Sequence, residues 1–279
     1  MRSIYDVLAP AKLNRFLHIT GLREDGYHLI ESVFVLIDWF DRLHFEKTKN
    51  NQISREDLTT ILPLDDLITK AARSLQKFTH HPYGVHISIE KIIPFQAGMG
   101  GGSSDAATTL LALNRLWKLN LPLHKLMSIG LELGADVPFF LQGHNAWIEG
   151  IGEKITPIIH SPTKFWILKP SQGIETKMLF SNFLLNPNPE NATISDFAIK
   201  PNDFGRNDLQ FIAERFCPGV SEAIKIMANL GLSGRMTGSG SAVFANVEMD
   251  FQPPSSPNTF RSRICSSLEA HPLVEWAVG

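Results

Sequence analysis

The segment Pro94-Phe-Gln-Ala-Gly-Met-Gly-Gly-Gly-Ser-Ser-Asp-Ala-Ala107 constrains this chain most, because it puts four glycines into five residues. Without a Cβ, such a backbone can take positive φ and curl around a ligand. Upstream, Val85, Ile87 and Ile89 alternate with His86, Ser88 and Glu90, which predicts a half-buried strand. Downstream, Ala107, Leu110, Leu111, Asn114 and Trp117 carry helical spacing over 104–117. A glycine loop between a strand and a helix points successive N–H groups at an anion, and the helix N-terminus adds its positive dipole end. The segment therefore reads as a phosphate cradle rather than a flexible surface turn. Pro94, Ala97, Gly98, Met99, Gly100, Gly101, Gly102, Ser103 and Ser104 are its candidate contacts, with the Ser103 or Ser104 hydroxyl also able to reach a metal ion.

The loop is not of the common kinds. GxxxxGK[ST] occurs nowhere, Ser103 stands where a dinucleotide fingerprint needs its third glycine, and no HRD or DFG triplet is present. A second glycine-rich turn, Arg235-Met-Thr-Gly-Ser-Gly-Ser-Ala-Val-Phe-Ala245, precedes an expected strand. Its Gly238 is a candidate second wall of the same phosphate site.

Two polar islands interrupt apolar stretches. In Gly134-Ala-Asp136-Val-Pro138, a lone carboxylate is expected at a sharp helix-to-strand corner, since the residue before proline is biased to extended backbone. An unpaired buried carboxylate is costly, so a cationic partner is expected, although a turn-capping aspartate is equally compatible. In Pro10-Ala-Lys12-Leu-Asn14, strand geometry puts Lys12 and Asn14 on one face. Lys12 is either a solvated edge lysine or the partner of Asp136.

A chain of 279 residues can form one large domain or two smaller ones. Strands are expected at 12–20, 29–38 and 85–90, and helices at 66–78, 104–117, 123–133, 207–215 and 219–230. Polar loops are expected at 186–203 and 252–258, and a terminal strand over Leu273–Val278. The class is α+β, and Gly150, Gly152, Pro157 and Pro162 suggest a division into 1–153 and 154–279. A net charge of −2 gives no global basic field, so no nucleic-acid partner is expected. The longest fully apolar run, Val33–Ile37, is far short of a membrane span, and the N-terminus lacks a signal-peptide core. Two cysteines, Cys217 and Cys265, in no metal-type spacing, fit reduced thiols in a cytoplasmic protein. Monomer and homodimer both remain open.

Taken in order, PAKLN, PFQAGMGGGSSDAA and MTGSGSAVFA resemble the motifs of the galactokinase, homoserine, mevalonate and phosphomevalonate kinase family, over nearly the whole chain. Gly21-Leu-Arg-Glu-Asp-Gly-Tyr-His28 and GADVPFF narrow the resemblance to the branch whose acceptor is a cytidine-diphosphate-linked methylerythritol. The resemblance implies a two-lobed small-molecule kinase fold with the active site in the cleft between lobes. It implies ATP as donor, Mg²⁺ as its ion, and the 2-hydroxyl of the methylerythritol unit as acceptor, in non-mevalonate isoprenoid biosynthesis. It further implies Asp136 as catalytic base with Lys12 as its partner, and Asn14 in contact with substrate. Tyr27 and His28 would hold the cytidine, Phe34, Thr176 and Phe180 would add contacts, and Lys91 would lie near the adenine. Departures are Gln96-Ala97 before Gly98, Met99 for a common leucine, and Asp105 where Asn is also common. No acidic Mg²⁺ ligand is named by the motifs, and Glu149 reads as a surface residue. Other readings are a relative acting on mevalonate or homoserine, a non-catalytic nucleotide binder, and a dehydrogenase. The Gly26-Tyr27-His28 segment, the presence of Lys12 and Asp136, and the failed dinucleotide fingerprint argue against them in turn.

Overall fold

The computed structural model describes residues 1–79, 83–184, 191–255 and 257–276. Its frame is a long antiparallel hairpin of β1 (Ser3–Leu22) and β2 (His28–Thr48), closed by a turn in which Gly26 takes φ +85°. Alternation gives the hairpin two apolar faces and one polar strip. Ala11 and Leu13 point one way, while Lys12 and Asn14 point the other.

Along its far edge β2 pairs with two further strands. Its second half pairs with β4 (Gly84–Glu90) and its first half with β5 (Ala146–Glu149). β3 (Ile53–Asp57) extends the sheet parallel to β4, through a crossover containing helix α1 (Leu67–Gln76). β6 (Lys154–Pro157) closes the other side against β5. The division expected at 153–154 therefore cuts between two paired strands, and sheet membership changes between Pro157 and Lys164. The second sheet runs β10-β7-β9-β8, with β7 at Lys164–Pro170, β8 at Arg235–Met236, β9 at Val243–Val247 and β10 at Phe260–Ser266.

Ala11, Leu13, Val33, Val35 and Ile37 pack against Phe165, Ile167, Phe244 and Cys265 and form a core between the sheets. The outer face of the first sheet is covered by α1, α2 (Gly101–Leu116), α3 (Leu123–Leu133) and α4 (Val137–Gln142). α2 is buried on nearly every side, so it is the central helix of this layer. Each fully buried leucine on it, such as Leu110 or Leu111, contributes about 1.5–3 kcal/mol. Helices α5 (Thr176–Ser181), α6 (Ile194–Ile199), α7 (Gln210–Phe216) and α8 (Pro218–Ala228) accompany the second sheet.

Three expectations change. Asp136 does not lead into a strand but forms the N-cap of α4, because Pro138 in a first helical turn loses no hydrogen bond. The polar stretch after 190 contains α6, a short helix with a Thr193–Asp196 capping box at its start and Phe197 buried. Residues 186–190 of that expected loop lie outside the described residues, as does residue 256 of the second one. The terminal segment forms a 3₁₀ turn at Val274–Trp276 that packs the Trp276 ring against Arg115, and the end of the expected strand, 277–279, lies outside the described residues. Among the described residues no helix is long and apolar enough to cross a membrane.

Candidate active site

The two glycine-rich segments meet. Ser241 N–H donates to Gln96 C=O (3.0 Å) and Ala242 N–H to Ala97 C=O (3.2 Å). A Cβ at Gly98, which has φ +70°, would stand 2.1 Å from Thr237 O, and one at Gly238 would stand 2.6 Å from Gly98 O. Only glycine lets the two backbones lie this close. Gly100, also at positive φ, caps α2, so Gly101 and Gly102 form its first turn and its free N–H groups face the loop. The helix thus starts three residues before its sequence periodicity does.

Lys12 reaches this loop from β1, and its backbone N–H donates to Met99 C=O at 3.0 Å. Its buried ammonium contacts the Asn14 Oδ1, lies 3.3 Å from Asp136 Oδ2, and sits 4.1 Å from the centre of the Phe34 ring. Burial pulls Lys12 below the usual lysine range, and the Asp136 charge opposes that only in part. Asp136 comes from the N-terminus of α4 and stays partly open, with 29% of its side chain exposed. A lysine held by desolvated contacts thus faces a carboxylate that solutes can reach.

These groups line one cavity of about 1140 Å³. Pro94, Ala97, Met99, Gly101, Gly102 and Ser103 border it at the loop. Of the two candidate serines, Ser103 opens onto the cavity, whereas Ser104 Oγ is buried without a hydrogen-bond partner. At the far end the β1–β2 turn brings Tyr27, more than half exposed, and His28, whose ring packs 5.1 Å from Phe180. Burial lowers the His28 pKa below the usual histidine value and so favours the neutral ring. Thr176 Oγ1 lies 2.7 Å from Ser239 Oγ, which ties α5 to the late glycine turn. Phe34 borders the cavity from behind the Lys12 ammonium and is 1% exposed.

Lys91 borders the cavity too, but its ammonium is held between Asp41 and Asp105, the latter at 2.6 Å. The two carboxylates outweigh the effect of burial and keep Lys91 above the usual lysine range. Asp105 is pushed up to about 8 by burial first and by nearby Asp41, against the pull of Lys91. This buried triad joins β2, the segment after β4 and the first turns of α2 directly beneath the loop. Sequence reading missed it: Asp41 and Asp105 are single acids with no shared spacing. It also missed Ser32 and Thr237, which hold Asn14 through its Nδ2 (3.0 Å) and its backbone N–H (2.8 Å).

Among the described residues no group of three His, Cys, Asp or Glu side chains is arranged to hold a metal ion, and Glu149 does not border the cavity. The donor set fits a Mg²⁺ carried mainly by nucleotide phosphates and water, with a loop hydroxyl as the protein's contribution.

Residues 66–144 match the GHMP kinases N terminal domain and residues 193–270 the GHMP kinases C terminal domain. This chain belongs to the GHMP kinase family. The 4-diphosphocytidyl-2-C-methyl-D-erythritol kinase of Albidiferax ferrireducens is 60% identical over 278 residues, covering 100% of this chain and 97% of that protein. The protein so named from an Acidovorax species is 54% identical over the full length of both. A crystal structure of 4-(cytidine 5'-diphospho)-2C-methyl-D-erythritol kinase superposes with a TM-score of 0.78 at 30% identity, covering 93% of this chain and 98% of that one. The homoserine kinase of Cytophaga hutchinsonii shares the fold at 15% identity, with a TM-score of 0.68 over 97% and 96% of the two chains. The chain is a kinase of mixed α and β structure, and the relatives at 54–60% identity over its full length carry the name 4-diphosphocytidyl-2-C-methyl-D-erythritol kinase.

Proposed function

We propose that this kinase transfers the γ-phosphoryl group of ATP to the 2-hydroxyl of 4-diphosphocytidyl-2-C-methyl-D-erythritol, a step of isoprenoid precursor biosynthesis. The substrate rests on full-length identity to proteins of that name. The residue roles rest on one contact, Lys12 Nζ to Asp136 Oδ2 at 3.3 Å, beside the glycine loop.

Phosphoryl transfer asks mainly for positioning and charge stabilisation. The N–H groups of the loop and of the first turn of α2 hold the phosphates, and the α2 dipole favours their charge. Asp136 accepts the proton of the acceptor hydroxyl as its oxygen attacks phosphorus. Lys12 holds Asp136 in place through their 3.3 Å contact and counters charge on the transferring group from a site shielded from water. Bound Mg²⁺ supplies further neutralisation of the phosphates, and Ser103 is the loop hydroxyl open to it. Tyr27, His28 and Phe180 offer faces on which a cytosine ring can stack, with the His28 nitrogens available for hydrogen bonds. Asn14 and Thr176 lie between that aromatic end and the phosphate loop, where the methylerythritol unit has to pass.

The test is ADP release with ATP and Mg²⁺ across a panel of alcohols. Turnover with diphosphocytidyl methylerythritol and none with mevalonate, homoserine or galactose is the expected outcome. Preference for any of the other three would overturn the assignment.

A further inference from the structure

Lys12 is aimed by a buried relay that starts at a residue on the neighbouring strand. β1 and β2 pair in register at Asn14↔Phe34 and again at Leu17↔Ser32, so β1 carries one extra residue between these points. Such a bulge re-aims side chains and leaves backbone groups unpaired. Here it turns the Phe16 carbonyl and the Asn14 side chain toward the same Ser32 hydroxyl. Ser32 Oγ donates its hydrogen to Phe16 C=O, and Asn14 Nδ2 donates to Ser32 Oγ at 3.0 Å. Ser32 is fully buried and Asn14 is 1% exposed.

The direction of these bonds is forced. A hydroxyl has one hydrogen, and Ser32 spends it on the Phe16 carbonyl. Toward Asn14 it can only accept, so Asn14 must present its NH₂ there. That leaves the Asn14 Oδ1 facing Lys12, whose ammonium can only donate. The charged group facing Lys12 from another element is Asp136, at the start of α4. With the amide reversed, an NH₂ would confront the ammonium and the lysine would have to move.

We propose that Ser32 is a positioning residue for the phosphoryl-transfer step: its hydroxyl fixes the Asn14 amide so that Oδ1 holds the Lys12 ammonium against Asp136. The inference rests on the Lys12–Asp136 pair being the reacting pair proposed above. Displacements of about an ångström in such a pair can cost up to about a hundredfold in rate.

The experiment compares Ser32→Ala with the near-isosteric pair Ser32→Thr and Ser32→Val, using two readouts. The first is steady-state kinetics. Ser32→Ala and Ser32→Val should lose about tenfold or more in kcat with the KM for ATP within about twofold, and Ser32→Thr should stay within about threefold of the unmutated enzyme. The second needs no turnover. The Lys12 ammonium is followed by NMR in protein labelled at lysine and assigned with Lys12→Met. Loss of the Oδ1 contact should lower its titration midpoint by about one pH unit in Ser32→Ala and Ser32→Val, and leave it unchanged in Ser32→Thr. If the alanine variant does not fold, the Thr and Val pair decides by itself, since the two differ only in the hydroxyl. Equal kcat and equal Lys12 titration in Thr and Val would overturn the inference. Absence of turnover in the unmutated enzyme would count against the proposed reaction instead, and the NMR comparison would still decide the role of Ser32.

Discussion

At the scale of single residues, the active centre is a group of polar side chains whose burial disfavours their charge. Desolvating the Lys12 ammonium is costly, and Asn14, Asp136 and the Phe34 ring offset that cost. Removing one member of a buried ion pair is costly where it strands the other charge away from water, but the Asp136 carboxylate is 29% exposed and stays hydrated. Lys12→Met is therefore expected to keep a thermal midpoint close to that of the unmutated protein while losing nearly all turnover; calorimetry and kinetics on the same sample check this. Asp136→Ala should lower kcat by about a hundredfold or more, the usual scale of general-base catalysis, with nucleotide affinity retained. Near-normal turnover there would reject Asp136 as the base. Tyr27 is exposed at the acceptor end and contributes little to the core, so Tyr27→Ala should raise the KM for the cytidine substrate and leave that for ATP unchanged. Both polar islands were legible in the sequence because a charge inside an apolar run stands out. Ser32 was not, since a serine in a strand looks the same whether it caps a bulge or faces water.

At the scale of elements, the phosphate loop depends on two supports. One is the close backbone contact between the glycine turns. Gly98→Ala would put a methyl group 2.1 Å from Thr237 O at φ +70°. It should destabilise the protein by about 2 kcal/mol or more and raise the KM for ATP about tenfold, read by thermal melts and kinetics. The other support is the Asp41–Lys91–Asp105 triad under α2. Asp105 titrates near 4 when unfolded and is pushed up to about 8 when folded. The folded state therefore binds more protons across that interval, and the triad's contribution to stability falls as pH rises from about 4 to about 8. Asp105→Asn removes the titrating group. The stability of the unmutated protein relative to the variant should decline over that window, while the effects of titrating groups common to both proteins cancel in the comparison. A flat difference would contradict the placement of the proton on Asp105. The glycine turns were plain in the sequence from composition alone. The triad was not, because Asp41, Lys91 and Asp105 belong to three elements and meet only through tertiary packing.

At the scale of the whole molecule, the α+β class and most helices follow from periodicity, with differences where one rule overrode another. β1 and β2 run well beyond the expected 12–20 and 29–38. Charged residues such as Asp6, Asp41, Arg42 and Glu46 interrupt the apolar pattern in the stretches that were not expected, 3–11 and 39–48. α4 was hidden because the bias of a residue before proline toward extended backbone yields where proline starts a helix. What no local pattern contained is the convergence itself. β1, the loop before α2, the start of α4 and the turn before β9 each contribute a few atoms to one cavity, and only the sheet register brings them within reach. The central claim is that this cavity moves a phosphoryl group onto the methylerythritol alcohol. Phosphorus NMR of a reaction containing enzyme, ATP, Mg²⁺ and diphosphocytidyl methylerythritol tests it most directly. A new phosphomonoester signal on the cytidine product, growing in step with ADP, is the expected result. ADP formation with the acceptor's phosphorus spectrum unchanged would contradict it.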